Sequence, residues 1–498
     1  MRFNNTAQEL KKALKLDSST MHKIAGVILF LLITNPTQVF GQKTMGLIKK
    51  KPGSIEKGYV LFAPLYCKTT YLIDKCGNKI NSWESKYMAG YSAYLQPDGS
   101  LIRAGHSLDT FLEFGGKGGI IEKFSWDGKL LWSYNISSDS VMQHHDFYPM
   151  DNGNILLIAW HAIPIDKAEA NGRQPGTILT KKLISERILE IKPKGTNNAE
   201  IVWQWSLWDH LVQDRDPLKS NFGDIGQHPE LFDLNYGQPA PSDWIHLNSI
   251  DYNKELDQIV VSNHHQSEIW IIDHSTTKAE AASHSGGKYG KGGDFLYRWG
   301  NPEVYKRGMS NNQTLFKQHN AHWIPKGYKN EGDIMIFNNG NGRDSAYSTV
   351  DIVAPPVSKP GYYLQDIPYG PEKPKWTYKD SVPSNFFSAF QSSAQLLFNG
   401  HLVICGGPQG RLFEVDNLNK IVWEYINPVS KGDTILKDGT IPMRNSVFKC
   451  IYYGEDYNAF KGKNLDPKLP IELNSIPSFC QDDKQRKKKK CSKKKAKK

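Results

Sequence analysis

Three stretches of the chain carry histidine at one point of a shared local pattern. They are His145 in HHDFYPMDNGNILLIAWH, His246 in DWIHLNSIDYNKELDQIVVSN, and His319 with His322 in KQHNAHWIPKGYKNEGDIMIFNN. In each, a β-rich segment, a turn of Gly, Asp and Asn, and a second β-rich segment follow. Imidazole changes charge near neutral pH, so it can donate to an anion and also move protons. Arg343, in FNNGNGR, lies one strand and one turn beyond His319. Its guanidinium presents a planar fork that matches the oxygens of an oxyanion, and its charge does not titrate. A residue type held at one register of a repeated unit converges when the units pack around an axis. His246, His319 and Arg343 are therefore the expected reacting set, with His145 and His322 beside them. His144, His264 and His265 sit in similar surroundings without the repeated position, and His161 and His274 read as ordinary satisfied side chains.

The elements that must supply the axis are legible. A strand ending in tryptophan recurs as KINSW at Trp83, KLLW at Trp132, EIVW at Trp203, FLYRW at Trp299, PKW at Trp376 and KIVW at Trp423. The other half of each unit runs turn to strand, as in YLQPDGSLIRAG and QLLFNGHLVICGG. Apolar residues alternating around Asp-Gly and Asn-Gly turns make antiparallel hairpins. Two hairpins per unit give a four-stranded sheet, so six units predict an all-β, six-bladed β-propeller around a channel. The first unit, from Gly58, has an outer hairpin and no inner one. The last segment, MRNSVFKCIYYG, offers inner-strand material and no outer hairpin. Shared N- and C-terminal strands thus close the ring over 58–454 and leave no free sheet edge. Insertions at 209–242, 275–293 and 354–375 are long enough to line a binding face.

Composition narrows the partners. The formal charge is +11, but the low-complexity segment 481–498 holds eleven Lys/Arg and two Asp, so the rest carries only +2. A run of like charge repels itself and stays solvated, which suits contact with an anionic surface. It has no aromatic residue or groove-reading motif, so no nucleic-acid partner is expected. Residues 1–41 read as an N-terminal extension and signal peptide: Met21-His22-Lys23, an apolar run from Ile24 to Ile33, and small residues up to Gly41. Export to the periplasm or beyond is the expectation. The six cysteines show no zinc spacing. Cys67 and Cys76 are placed to pair across a short hairpin, or either with Cys450, and buried free thiols are an equal alternative. No Gly-rich phosphate loop is present, so no nucleotide cofactor is expected.

DWIHLNSIDYNKELDQIVVSNHHQSEIWIIDHSTT, QHNAHW, NGNGR and GRLFEVDNLNKIVWEYINP together resemble the arylsulfotransferase family, over roughly Gly58 to Gly454. The resemblance implies exported enzymes that move a sulfuryl group from one phenol to another without a nucleotide donor, on a six-bladed propeller. It implies that His246 and His319 hold the sulfuryl oxygens, that Arg343 is the neighbouring cation, and that Asn248 and Asn320 are supporting donors. It also implies a nucleophilic histidine on the following blade. There this sequence reads AFQSSAQLLFNGHLVI, with Gln391, Ser392 and Ser393 at the matching point and His401 past the turn. Small-molecule aryl sulfate and phenol are the expected partners, and dimerisation is left open. Two other readings stand beside this one: a non-catalytic propeller that binds sulfated or aromatic ligands, and a histidine-ligated metal lyase or hydrolase. Arg343 would oppose a cation, so no resident metal is expected.

Overall fold

In the computed structural model, residues 43–108, 112, 114–237, 242–366, 368–475 and 480 are described. The expected signal peptide and the lysine-rich segment both lie outside them. The body is a six-bladed β-propeller, with one six-residue α-helix, Ile165–Ala170, among the described residues. From axis to rim, blade 1 comprises Val447–Gly454, Gly58–Pro64, Thr69–Asp74 and Lys79–Glu84. Blade 2 comprises Ala89–Leu95, Leu101–His106, Gly119–Phe124 and Leu130–Asn135. Blade 3 comprises Val141–Pro149, Ile155–Pro164, Lys182–Lys194 and Asn198–Ser206. Blades 4 and 5 begin with Leu247–Asn253 and His319–Trp323 and end with Tyr297–Trp299 and Trp376–Tyr378. Blade 6 runs from Ser393–Leu396 to Ile421–Ile426 and gains a fifth, outermost strand, Gly46–Lys50.

Ring closure follows the expectation. Val447–Gly454 pairs antiparallel with Gly58–Pro64, with Gly58 opposite Gly454 and Phe62 opposite Cys450. The N-terminal strand Gly46–Lys50 then covers the rim of blade 6, a further fastening that the sequence did not announce. The expected pairing partners of Cys76 are not used, since Cys76 bonds Cys480, while Cys67, Cys405 and Cys450 are buried free thiols, as the alternative reading had it. Cys67 packs inward instead of pairing with Cys76, and its thiol donates to Ser430 O. The 404-residue separation is closed only because the ring brings both chain ends to one blade.

Middle strands such as ILLIAW, QIVVSN and EIWIID are buried along their whole length. Each blade packs between two others, so both faces of its central strands are inside, and continuous apolar runs replace alternation. The rim tryptophans explain their own recurrence. The indole N–H of Trp83 donates to Ser125 O at 2.9 Å, and that of Trp132 to Asn198 O at 2.9 Å. Trp203 donates to Thr276 Oγ1, Trp299 to Pro371 O, and Trp423 to Lys75 O. Each acceptor lies on the next blade, at or beyond its outer hairpin turn, so the tryptophans rivet neighbours around the ring. Trp376 is 36% exposed and makes no such bond among the described residues.

At the axis, the innermost strands carry a left-handed residue within them or just before them: Tyr91 (φ 88°), His145 (φ 48°), His246 (φ 61°), Asn320 (φ 55°), and Gln391 with Ser392 (φ 59° and 88°). The strand registers of blades 2 to 5 slip at or beside these positions. A bulge of this kind bends the strand and re-aims one side chain, and His and Asn tolerate positive φ better than bulkier types. The repeated register seen in the sequence is therefore a repeated backbone kink.

Candidate active site

Innermost strands begin, and the turns between the second and third strands lie, at the same end of the propeller. His145 and His246 meet there, with ring centroids 4.5 Å apart and planes at 75°. His246 is 5.2 Å from His264 and 4.8 Å from His265, and His264 is 5.2 Å from His319. Phe448, from the closing strand, touches both His145 and His319 at 5.8 and 6.0 Å. Five imidazoles from three blades thus surround one channel mouth, with a phenyl ring beneath them. Gly116 (φ 97°) lies directly over His145, and a side chain there would collide with that ring.

The hydrogen bonds assign these rings different tasks. His246 Nδ1 bonds Asp243 Oδ2 at 2.5 Å. Burial opposes its charged form, but the Asp243 carboxylate outweighs burial, and His246 is held above the usual imidazole value. Asp243 thus favours the protonated form of this ring, and Nε2 is left free of Asp243. Burial first, and the charge of His246 second, push His145 and His264 well below the usual value and His265 to about 4. Burial likewise takes His319 down to about 3. One ring is therefore shifted towards its charged form while four neighbours are shifted towards neutrality, as expected when like charges share a low-dielectric site.

His265 Nδ1 donates to Asp243 O at 2.8 Å, so its lone pair is on Nε2. His319 is fixed on both sides: Nδ1 faces Asn339 Oδ1 at 2.8 Å and Nε2 accepts from Gln391 N at 3.2 Å. His145 connects inward to a relay. Its Nδ1 lies 2.8 Å from His144 Nδ1, and His144 Nε2 lies 2.8 Å from Glu186 Oε2. Burial raises Glu186 well above the carboxylate range and lowers His144. Shifting protons along Glu186–His144–His145 converts His145 Nε2 between donor and acceptor, which is what a general acid–base needs.

Not every expected residue joins this group. Arg343 lies over Phe316 and Tyr347, and its donors go to Tyr347 O and Thr349 Oγ1, within its own turn. The cation whose charge acts on His246, His264 and His265 is Lys317, with Nζ 2.8 Å from His265 O and burial lowering its pKa. Asn248 and Asn320 serve as struts between inner strands. Asn248 Nδ2 donates to Gln318 O, and Asn320 Oδ1 accepts from Ala394 N. His322 points into the other half of the channel, where a cavity of about 290 Å³ is lined also by Lys449, Tyr94 and Asp251. At the sixth blade, Gln391 and Ser392 occupy the channel register, and Ser392 Oγ accepts from Gly407 N. His401 is held by Glu414 at 2.7 Å, beside the hairpin turn.

His264, His265 and His144, set aside in the sequence for lacking the repeated position, join the group, and so does Lys317. The first two lie one strand and one turn beyond His246, the offset that singled out Arg343 from His319, so the signal was present. His144 is marked only by its place beside His145, and Lys317 leaves no signal, since each acts through a contact with a different element. Asp243, His246 and His265 also offer three ligand atoms within 4.8 Å of one another, a set able to hold a metal ion.

The chain matches the family model for "Arylsulfotransferase (ASST)" over residues 63–437. It is 25% identical over 345 residues to the arylsulfate sulfotransferase AssT of Escherichia coli O6:H1, covering 62% of this chain and 54% of that protein. The chain thus spans about half the length of that relative. Among solved structures, a Bacteroides caccae protein of unknown function is 12% identical, with a TM-score of 0.40 and coverage of 74% of this chain and 94% of that one. A putative 6-phosphogluconolactonase from Bacteroides fragilis is 10% identical, with a TM-score of 0.38 and coverage of 80% and 98%.

Proposed function

Because the chain belongs to the arylsulfotransferase family, we propose that it moves a sulfuryl group from an aryl sulfate ester to a phenolic acceptor at the imidazole-lined channel mouth. The observation that supports this most is the contact of His246 with Asp243, which favours the protonated ring, among imidazoles that burial holds low, with Lys317 beside them. The charge attracts a sulfate monoanion, and Nε2–H donates to the oxygens where negative charge grows. The donor's S–O(aryl) bond breaks with its electron pair leaving on the phenolate oxygen, and an acceptor oxygen forms the new S–O bond. The hydroxyl proton lost by the acceptor is the one the departing phenolate gains. His145, backed by His144 and Glu186, is the group we assign to carry it. His265, with its lone pair on Nε2, is the ring we assign to hold the sulfuryl group if transfer passes through an N–S bond. Export belongs to the same proposal, and the Cys76–Cys480 disulfide supports it, because such bonds persist in oxidising compartments.

The test is release of phenol from a chromogenic aryl sulfate with and without an acceptor phenol. Acceptor-dependent release, with a sulfated acceptor of equal amount, is the expected result. One observation favours a second reading, ligand binding without turnover: Gln391 and Ser392 stand where the family resemblance implies a nucleophilic imidazole. Saturable aryl sulfate binding with no phenol release would select it. The histidine-ligated metal reading rests on Asp243, His246 and His265, and activity abolished by chelators and restored by a divalent ion would select that instead.

A further inference from the structure

A second histidine group lies away from the channel, between blades 3 and 4. His210 follows the last strand of blade 3, and His284 and Asp294 belong to the insertion before the last strand of blade 4. His210 is fully buried and stacks on Trp205, with ring centroids 5.5 Å apart and planes within 3°. Its Nε2 lies 2.9 Å from Ala281 O and so carries the proton there. In the neutral ring this leaves the Nδ1 lone pair facing Asp294 Oδ1 at 2.8 Å. His284 Nδ1 lies 2.7 Å from the same oxygen, with its ring at 87° to that of His210. Two ring nitrogens thus converge on one carboxylate oxygen, an arrangement that N–H protons or a bound cation can satisfy.

We propose that His210 Nδ1, His284 Nδ1 and Asp294 Oδ1 form a binding site for a zinc-class divalent cation. The three atoms lie within 4.8 Å of one another. A tetrahedral ion with bonds of about 2.0–2.1 Å holds its ligands roughly 3.3 Å apart, so the observed 2.7 and 2.8 Å pairs open by only about half an ångström. Two imidazoles and one carboxylate are a donor set suited to zinc. The His210 Nε2–H bond to a backbone carbonyl is the outer contact that orients a ligating imidazole and fixes its tautomer. The close approach is built in: a side chain at Gly293 would come within 2.5 Å of His210 Nε2, and Gly293 O accepts from Trp205 Nε1. His284, 60% exposed, borders an open cavity of about 380 Å³ that Asp209 and His228 also line, which gives an ion an entry path and a fourth position. The ion would tie two insertions of neighbouring blades together, and it stands apart from any chemistry at the channel.

The test is zinc content and Zn²⁺ titration of the full chain carrying His265→Ala, which disables the channel cluster; His265→Gln replaces it if the alanine variant does not fold. One bound equivalent is expected, with proton release on binding because the Nδ1 atoms must be deprotonated. Adding His284→Ala, an exposed change that leaves the core intact, is expected to weaken Zn²⁺ binding by at least ~10-fold. It is also expected to cancel the rise in Tm that zinc gives. No stoichiometric zinc in the first protein, or undiminished affinity in the second, would overturn the proposal.

Discussion

The pairing of Asp243 with His246 decides what the cluster can do at a given pH. On the reading proposed above, turnover needs His246 protonated, so activity falls as pH rises through its elevated pKa. Asp243→Asn removes the charge that raises it, and the alkaline limb of the pH–rate profile is expected to move to lower pH with the fold intact. An unmoved limb would assign the ionisation to another group. His246→Ala is expected to lower kcat/KM by ~10² or more, the usual scale for an acid–base or oxyanion group. Lys317 and Arg343 can be separated the same way. Lys317→Met is expected to raise KM for an anionic donor several-fold, whereas Arg343→Met, in a turn where Arg343 is already satisfied by Tyr347 O and Thr349, is expected to change it less.

Among the elements, the rim tryptophans make a sharper prediction than burial alone. Trp423 is fully buried and donates to Lys75 O at the closure of blade 6 on blade 1. Trp423→Phe keeps a ring but leaves a buried carbonyl unpaired, at a cost of about 1–3 kcal/mol. Trp376→Phe, at a 36% exposed site with no such bond among the described residues, is expected to be close to neutral. Urea denaturation of the two variants checks the contrast, and equal losses would show that the bond is not what matters. The disulfide acts on the same seam from the other side. Cys480→Ser is expected to cost about 2–5 kcal/mol, chiefly by freeing a long loop in the unfolded chain. Wild-type protein in reductant should match it.

For the molecule as a whole, the buried neutral histidines tie stability to pH. His265 and His322 are pushed to about 4 and His319 to about 3, all from 6.5, mainly by burial. Below pH 6.5 the unfolded chain takes up protons that the folded one refuses, so stability falls as pH drops through 6.5 towards 3–4. His274, raised to about 9 by Asp257 and Glu190 against the opposing effect of burial, works the other way. Its contribution is complete below 6.5 and is lost as pH rises through 9. Tm is therefore expected to be highest near neutrality and to fall on the acid side, less steeply in His322→Gln, which removes one of the refused protons. A flat acid limb would mean that these rings are hydrated and not desolvated.

The sequence by itself determined the number of blades, the closure of the ring and the register of the inner histidines. These rest on local periodicity: turn residues, apolar runs and rim tryptophans that each unit repeats because each solves the same packing problem. It also carried the family resemblance, through contiguous segments around His246 and His319. What only the tertiary structure decided was which groups share a space. Lys317 and not Arg343 faces the cluster, Asn248 and Asn320 brace inner strands, His322 turns to the opposite half of the channel, and Cys76 finds Cys480 across 404 residues. Each depends on where a side chain from one blade meets the backbone of another. That distance is set by the closure of the whole ring, and no local pattern encodes it.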